Sequence, residues 1–389
     1  MSERVFDLIL AGGGLANGLI AHRLSERRPD LDLLVVESAA ELGGNHTWSF
    51  HDGDLSPVEH GWIEPFVAHR WPGYDVRFPR RARGVETGYA SVSSERFAMV
   101  LRERLTERLK LGAPVRALTG SSVTLESGEV LRARAVIDGR GQRRSAHLSL
   151  GFQKFLGQEW ETAIPHGVTR PVVMDATVPQ AGGYRFVYVL PFSPTRLLIE
   201  DTYYADDVAL DRETLRAEIA AYAKRQGWQL ARLTREEDGV LPIALGGDME
   251  RLIEEAAGVP TVGLARALFH PTTGYSLPDA VHVADLVSSA PDLSAEALSR
   301  LLAQHARNLW SDRAYFRLLN RLLFGAGEPA ERYRILEHFY RLPDPVVARF
   351  YAARLEFSDK LRIFVGKPPV SVRGALRILA APSRLRDTA

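Results

Sequence analysis

The chain runs to 389 residues, 46% of them apolar and 25% charged, with a net charge of +1. It is long enough for two domains, and so small a net charge excludes the global field that draws nucleic acid. There is no cysteine, which rules out disulfides, thiolate nucleophiles and cysteine-held metals and fits a reducing, cytoplasmic setting.

No stretch reaches the roughly 18 apolar residues of a transmembrane helix. The first strand begins so near Met1 that no signal or transit peptide is expected. Residues 5–18 read VFDLILAGGGLANG, a short apolar run suited to a buried parallel strand, then glycines opening a helix over 15–26. Gly12 makes the turn, and Gly14 lets the backbone approach a pyrophosphate. Gly13, Leu15 and Ala16 complete a helix N-terminus with free amides and a positive dipole. A second apolar run, LDLLVV, ends at Glu37, where a carboxylate can accept from a ribose hydroxyl. Asn17 stands where the shortest fingerprint has glycine, and Gly18 follows it as the third glycine expected to bind the cofactor. Strand, loop, helix, strand and acid in that order define a dinucleotide-binding βαβ unit.

A loop rich in Gly, His and Asp (41–54) and an aromatic stretch (60–79) come next. Residues 94–110 carry a capping serine and the helical spacing of Phe97, Leu101 and Leu105. A small β-meander over 113–141 ends at Asp138-Gly139. Two runs, YRFVYVLPF and RLLIEDTYY, flank Ser193-Pro194-Thr195 as a hairpin. An amphipathic helix spans 212–226. Residues 259–289 read as strand, glycine turn and helix from Leu277, and 294–355 is helical in pattern with breaks at 325–329 and Pro343. The fold class is α/β, a Rossmann-type nucleotide domain (1–55, 90–150, 255–292) with a second, β-rich substrate domain (56–89, 151–254). A helical C-terminal region with a basic tail (293–389) completes it.

Three glycine sites, Gly12–Glu37, Asp138-Gly139-Arg140-Gly141 and 263–276, resemble those of the flavoprotein superfamily of hydroxylase-type flavin monooxygenases, where they jointly hold FAD. An Asp-Gly pair alone is usually a plain turn; its position after an apolar run, in order with the other two, sets it apart. By that resemblance Gly263, Thr273, Gly274 and Tyr275 lie near the flavin. The relatives have Gly-Asp in the late motif, whereas this chain has Gly263-Leu264 and no acid before Asp279, so its ribityl contacts must differ.

Narrower blocks, GGNHTWSFHD, FVYVLPFSPTRLLIEDTYY, GVLPIALGGD, HPTTGYSLPDAV and ARFYAARLEFSDKLRIFVGKPPV, closely resemble the bacterial lycopene beta-cyclases of carotenoid biosynthesis, over about residues 5–375. Plant-type cyclases have a related segment with Phe-Leu before Glu-Glu-Thr, and Ile199-Glu200-Asp201-Thr202 matches it with Asp in the second acidic place. The resemblance implies an isomerase that closes the linear ends of lycopene to β-ionone rings, through gamma-carotene to beta-carotene. It further implies that the flavin works reduced, with NAD(P)H as reductant, and that lycopene and other linear carotenoids are the substrates.

Ring closure protonates the terminal double bond at C2, lets a neighbouring double bond attack the tertiary cation, and releases a proton from C6. An alkene is a very weak base, so the acid must be positioned, dry and protonated, as a carboxyl in an apolar pocket is. In a strand Arg196, Leu198, Glu200 and Thr202 share one face, and Leu197, Ile199, Asp201 and Tyr203 the other. Glu200 is therefore the expected acid, with Asp201 a hydrogen-bond partner or supporting group; an acidic pair at a strand end in solvent is the bland alternative. Phe186, Tyr188, Tyr203 and Tyr204 are candidates to line a tunnel, since aromatic faces stabilise a cation by about 0.5–2 kcal/mol each; aromatics in strands also serve as plain core.

Trp48-Ser49 is a candidate for contact with the flavin ring or substrate. His46, His51 and His270 match no metal-ligand spacing and read as hydrogen-bonded loop histidines, His270 being set apart by its place beside the late turn; no metal is expected. Between Lys360 and Ala389 seven Lys/Arg face one Asp among apolar residues, which fits peripheral attachment to an anionic inner-membrane surface or a solvated tail. Two further readings stay open. One is a flavin monooxygenase or dehydrogenase on an apolar isoprenoid; the other is a carotenoid carrier with a vestigial nucleotide site.

Overall fold

The computed structural model describes residues 4–180, 182–365 and Ile378. Among them three sheets form. The first is organised by strand Val5–Ala11, whose Leu8, Ile9, Leu10 and Ala11 are fully buried. It lies parallel to Leu33–Val36 on one side and Val130–Asp138 on the other. The continuous apolar run is what a strand covered on both faces requires. Helix Leu15–Arg27 packs on one face, against helices Ser94–Leu105 and Leu277–Ser288. The meander Val115–Leu118, Ser122–Leu125 and Val130–Asp138 extends the sheet antiparallel.

Three details depart from the sequence reading. The helix expected over 94–110 stops at Leu105: Thr106 takes φ +42°, and Leu109–Lys110 instead joins the sheet edge beside Val35 and Val36. The strand expected after 259 is a single bridge between Thr261 and Asp138, because Pro260 has no N–H to donate to a ladder. The C-terminal helices Ala295–Asp312 and Ala314–Gly325 are broken at Arg313, which turns inward to bind Asp279. Helices Tyr333–Phe339, Asp344–Tyr351 and Phe357–Ile363 follow. Most of the expected basic tail, 366–377 and 379–389, lies outside the described residues. Among the described residues no helix is long and apolar enough to cross a membrane.

The second sheet positions the chemistry. Its strands run in the order Leu230–Gly247, Leu148–Thr162, Arg196–Ala205, Tyr184–Ser193, Val172–Asp175, Tyr74–Phe78, Arg81–Val85. A small third sheet, Thr47–His51, Tyr89–Ser93 and His69–Trp71, stands beside it. Period-two alternation divides the residues of the hairpin Tyr184–Ala205 between two cores. Tyr184, Phe186, Tyr188, Leu190, Leu198 and Tyr204 pack toward the C-terminal helices. Val187, Val189, Leu197 and Ile199 pack beneath helix Arg212–Arg225, on its Leu215, Ile219 and Tyr222.

On that helix-covered side Asp201 is fully buried and grips Arg185, with Nε–Oδ1 at 2.9 Å and Nη2–Oδ2 at 2.6 Å. Glu218 of the helix adds a second anion to Arg185 at 2.8 Å. Burial pushes the Asp201 carboxyl up, but two parallel charge-assisted hydrogen bonds keep the pair ionised. Removing one partner of a buried pair leaves the other charge uncompensated, which typically costs ~3–5 kcal/mol. Asp201→Ala should therefore lose about 3 kcal/mol, the lower end because Glu218 remains. Urea unfolding measures it, and an unchanged midpoint would show the pair to be dispensable.

Candidate active site

The nucleotide cleft is built by backbone. Gly12 sits at φ +94°, and a Cβ there would lie 2.8 Å from the Gly139 carbonyl oxygen, so no other residue fits. Asn17 replaces the third fingerprint glycine with hydrogen bonds: its Nδ2 donates to the carbonyls of Ala11 and Gly12, each at 2.9 Å. Gly139 makes room for that amide, since a Cβ on it would lie 2.5 Å from Asn17 Nδ2. Glu37 is anchored at the end of its strand, accepting from Gly13 N at 2.6 Å and Ala39 N at 2.8 Å. Helix Leu15–Arg27 has no capping side chain and no acid in its first turn, and a Cβ on Gly14 would meet nothing within 4 Å. The amides thus open on free space.

That space is a cavity of about 450 Å³ lined by Gly12, Gly14, Leu15, Ala16, Glu37, Gly139 and Gly263. A dinucleotide fits such a cradle: anion-seeking amides, an anchored acid and an unfilled Gly14. Gly18, expected among the cofactor residues, instead makes room for Phe97, whose ring would lie 2.3 Å from its Cβ. Asp138 turns away to Arg140 (Nε–Oδ1 2.9 Å) and Arg143. Against the cost of burial, these guanidiniums hold its carboxyl below the usual range. Asp279, the first acid after Gly263, lines the cleft but is held bidentate by Arg313 at 2.6 and 2.7 Å.

The late turn is organised by His270. Its Nδ1 accepts from the amides of Thr272 and Thr273, both at 3.2 Å, so Nε2 carries the proton to the Phe350 carbonyl at 2.9 Å. Burial, then nearby Arg313, push this imidazole down to about 4, and it stays neutral. Gly274, at φ +72°, with Thr273 and Tyr275 faces the neighbouring cavity. His51 departs from expectation. It is buried among Tyr74, Tyr89, Tyr275 and Tyr351, with Nδ1 3.6 Å from Asp54 Oδ2, and among the described residues neither ring nitrogen has a hydrogen-bond partner within bonding distance. Among the described residues no cluster of three His, Asp or Glu is arranged to hold a metal.

The neighbouring chamber, of about 190 Å³, is walled by Phe155, Met174, Phe186, Leu198 and Leu241, with Tyr188, Tyr204, Tyr275 and Tyr351 around it. At ~30 Å³ per water its volume equals that of about six waters, room for one end of a long chain. His46, Trp48, Leu264 and Ser276 line both cavities and so form their common wall. Glu200 faces the chamber, where Thr202 Oγ1 donates to its Oε1 at 2.7 Å. Burial first, then the negative charge of Glu237, raise its carboxyl to about 8. Tyr203, expected at the tunnel, is on the other face with its ring against Arg185. Asp201, expected as the partner of Glu200, is engaged by Arg185 instead.

Sequence reading missed Glu237, Tyr275 as a chamber wall, and Tyr351. Tyr89 Oη joins Tyr188 Oη and lies 2.9 Å from Tyr275 Oη. Burial holds all three phenols well above their usual range, hence neutral.

The parallel βαβ unit and its pyrophosphate-type cleft, sharing a wall with an apolar, acid-bearing chamber, define a Rossmann-type fold. A flavin-dependent brominase of known structure superposes at a TM-score of 0.56 and 13% identity, over 90% of this chain and 94% of that one. The family model described as lycopene cyclase protein matches residues 7–377. A lycopene beta-cyclase of Pseudescherichia vulneris is 53% identical over 371 residues, 95% of this chain and 96% of its own. That of Pantoea ananas is 49% identical over 379 residues, 97% and 99% of the two. The chain belongs to the lycopene cyclase family.

Glu200 has an ordinary value of 4.5 when unfolded and about 8 when folded. Between these the folded chain keeps a proton that the unfolded chain has released, so stability falls as pH rises through that window. Glu200→Gln should flatten this slope by a few kcal/mol between about pH 5 and pH 8 in urea unfolding. An unchanged slope would place Glu200 in water.

Proposed function

We propose that the chain closes the linear ends of lycopene to β-rings, by way of gamma-carotene to beta-carotene, with Glu200 as the acid and reduced FAD in the cleft. The observation that carries the reading is a buried carboxyl, raised to about 8 by its burial, in an aromatic chamber that shares a wall with a dinucleotide cleft. Ring closure of carotenoid ends is the activity named for the curated family members. Glu200 gives its proton to C2. The chamber's hydrocarbon walls exclude the water that would otherwise quench the cation or take the proton. The faces of Tyr188, Tyr204, Tyr275 and Tyr351 stabilise the tertiary cation while their phenols stay neutral. Bound in its reduced form, FAD supplies negative charge that favours a carbocation, with no electron spent. The backbone of Gly12 to Ala16 holds its pyrophosphate, Glu37 its ribose, and Gly263 with Thr273 to Tyr275 the flavin side; NAD(P)H is the reductant.

Lycopene added anaerobically with FAD and dithionite should become beta-carotene of unchanged mass, whereas a gain of oxygen or loss of hydrogen would favour the redox reading. Glu200→Gln cannot release a useful proton. Loss of a general acid costs ~10²–10⁴ in rate, and with no water to substitute the upper end is expected, with FAD binding retained. Gly14→Val should fill the phosphate cradle and abolish flavin binding. Normal turnover by Glu200→Gln, or full flavin content in Gly14→Val, would overturn these assignments.

The substrate dissolves in a bilayer, and on this reading the protein lies in the cytoplasm, docked on the inner membrane. Phe357, Leu361, Phe364 and Val365 are 76%, 57%, 54% and 68% exposed on and just after helix Phe357–Ile363, beside Lys360 and Arg362. An apolar edge with cations suits an anionic lipid surface. Full-length protein should co-sediment with anionic vesicles, and Phe357→Ser with Leu361→Ser should weaken this several-fold. Equal sedimentation of the double variant would rule the helix out as the contact.

A further inference from the structure

Strands Leu230–Gly247, Leu148–Thr162 and Arg196–Ala205 lie side by side, and Gly157 in the middle pairs with Glu237 on one side and Glu200 on the other. A Cβ on Gly157 would meet Glu237 Cγ at 3.3 Å and Glu200 Cβ at 3.5 Å. The only position between the two acids therefore carries no side chain, and both side chains line the chamber. Glu237 is buried and takes a hydrogen bond from Arg235 Nη1 at 3.0 Å. Glu200 has Thr202 as its donor and, among the described residues, no cation in hydrogen-bond contact.

We propose that Glu237 is the base of the ring closure, taking the proton that leaves C6 and returning it to Glu200. This rests on the reading of Glu200 as the acid. The Glu200 O–H bond breaks as the C1=C2 pair forms the new C2–H bond, leaving a cation at C1. The C5=C6 pair forms the C1–C6 bond, moving the cation to C5. The C6–H pair restores C5=C6, and its proton goes to the Glu237 carboxylate. Transfer across Gly157 to the Glu200 carboxylate resets the site, with nothing oxidised or reduced. Both carboxyls line one chamber, and the negative charge of Glu237 helps to hold the proton on Glu200. Arg235 marks Glu237 as the member left ionised, although burial raises its carboxyl as well.

Glu200 is faced by Glu237 and Arg235 from one strand, Tyr188 from another, and Tyr204 on its own. Tyr275 of the late turn, Tyr351 of helix Asp344–Tyr351 and His46 at the common wall also line the chamber. The middle strand presents Gln153 and Phe155 there and, further along, buried Glu159, which shares Arg235 with Glu237, while Asp201 acts on Glu200 from the opposite face. Glu237→Gln should lower kcat for lycopene about 100-fold or more, with KM and FAD content little changed. Loss of the neighbouring negative charge should also let Glu200 ionise sooner, moving the alkaline limit of activity to lower pH. Glu237→Asp should restore part of the rate. Gly157→Ala, which places a methyl between the acids, should slow turnover at least tenfold and tests the same point should Glu237→Gln fail to fold. An inactive Glu200→Gln beside Glu237→Gln or Gly157→Ala within threefold of the parent overturns the role of Glu237 alone. Normal turnover by Glu200→Gln overturns the acid assignment, and this proposal with it.

Discussion

Taking a carboxyl group out of water is costly unless the group is paired or keeps its proton. Strand Arg196–Ala205 does both within two consecutive residues. Asp201 goes to the side where Arg185 waits and stays charged. Glu200 goes to the side where, among the described residues, no cation contacts it, and burial favours its protonated form. The pleat alone separates the two outcomes, and the chamber, its phenols and the helix on the far face are arranged around that separation.

The same economy governs the rest of the site. The nucleotide cleft relies on amides, a helix dipole and one anchored acid, and nearby charged groups are already engaged: Asp138 by Arg140 and Arg143, Asp279 by Arg313. His270 contributes shape, closing the late turn through two amides and one carbonyl while remaining neutral. Around Glu200, apart from Thr202 and the Glu237 that Arg235 pairs, the polar groups include phenols that burial prevents from ionising. Unpaired charge is kept scarce where a cation has to form.

Local patterns in the chain were legible. The βαβ unit, the meander, the hairpin and the opposite orientation of Glu200 and Asp201 all follow from periodicities of two and 3.6. What was hidden is non-local. Glu237 sits in Arg-Glu-Glu-Asp, a run that reads as solvated, and it meets Glu200 only because a third strand with glycine at one position lies between them. Tyr351 arrives from a helix about 150 residues further on. Arg313 breaks a helix to satisfy an acid, and Leu109 leaves one to complete a sheet edge; in both cases a tertiary partner outweighed local propensity. Tyr203 was grouped with the tunnel aromatics although its parity placed it opposite, beside Arg185.

His46, Trp48, Leu264 and Ser276 are the partition between the two cavities, and a partition shared by two compartments couples their contents. Any change in the volume of Trp48 or Leu264 alters the floor of one room and the ceiling of the other together. Tuning of the ring-closing compartment by substitution therefore has a free side and a constrained side. The walls at Phe155, Met174 and Leu241 belong to the chamber alone and can be resized independently, whereas residues of the partition have to answer to both occupants at once.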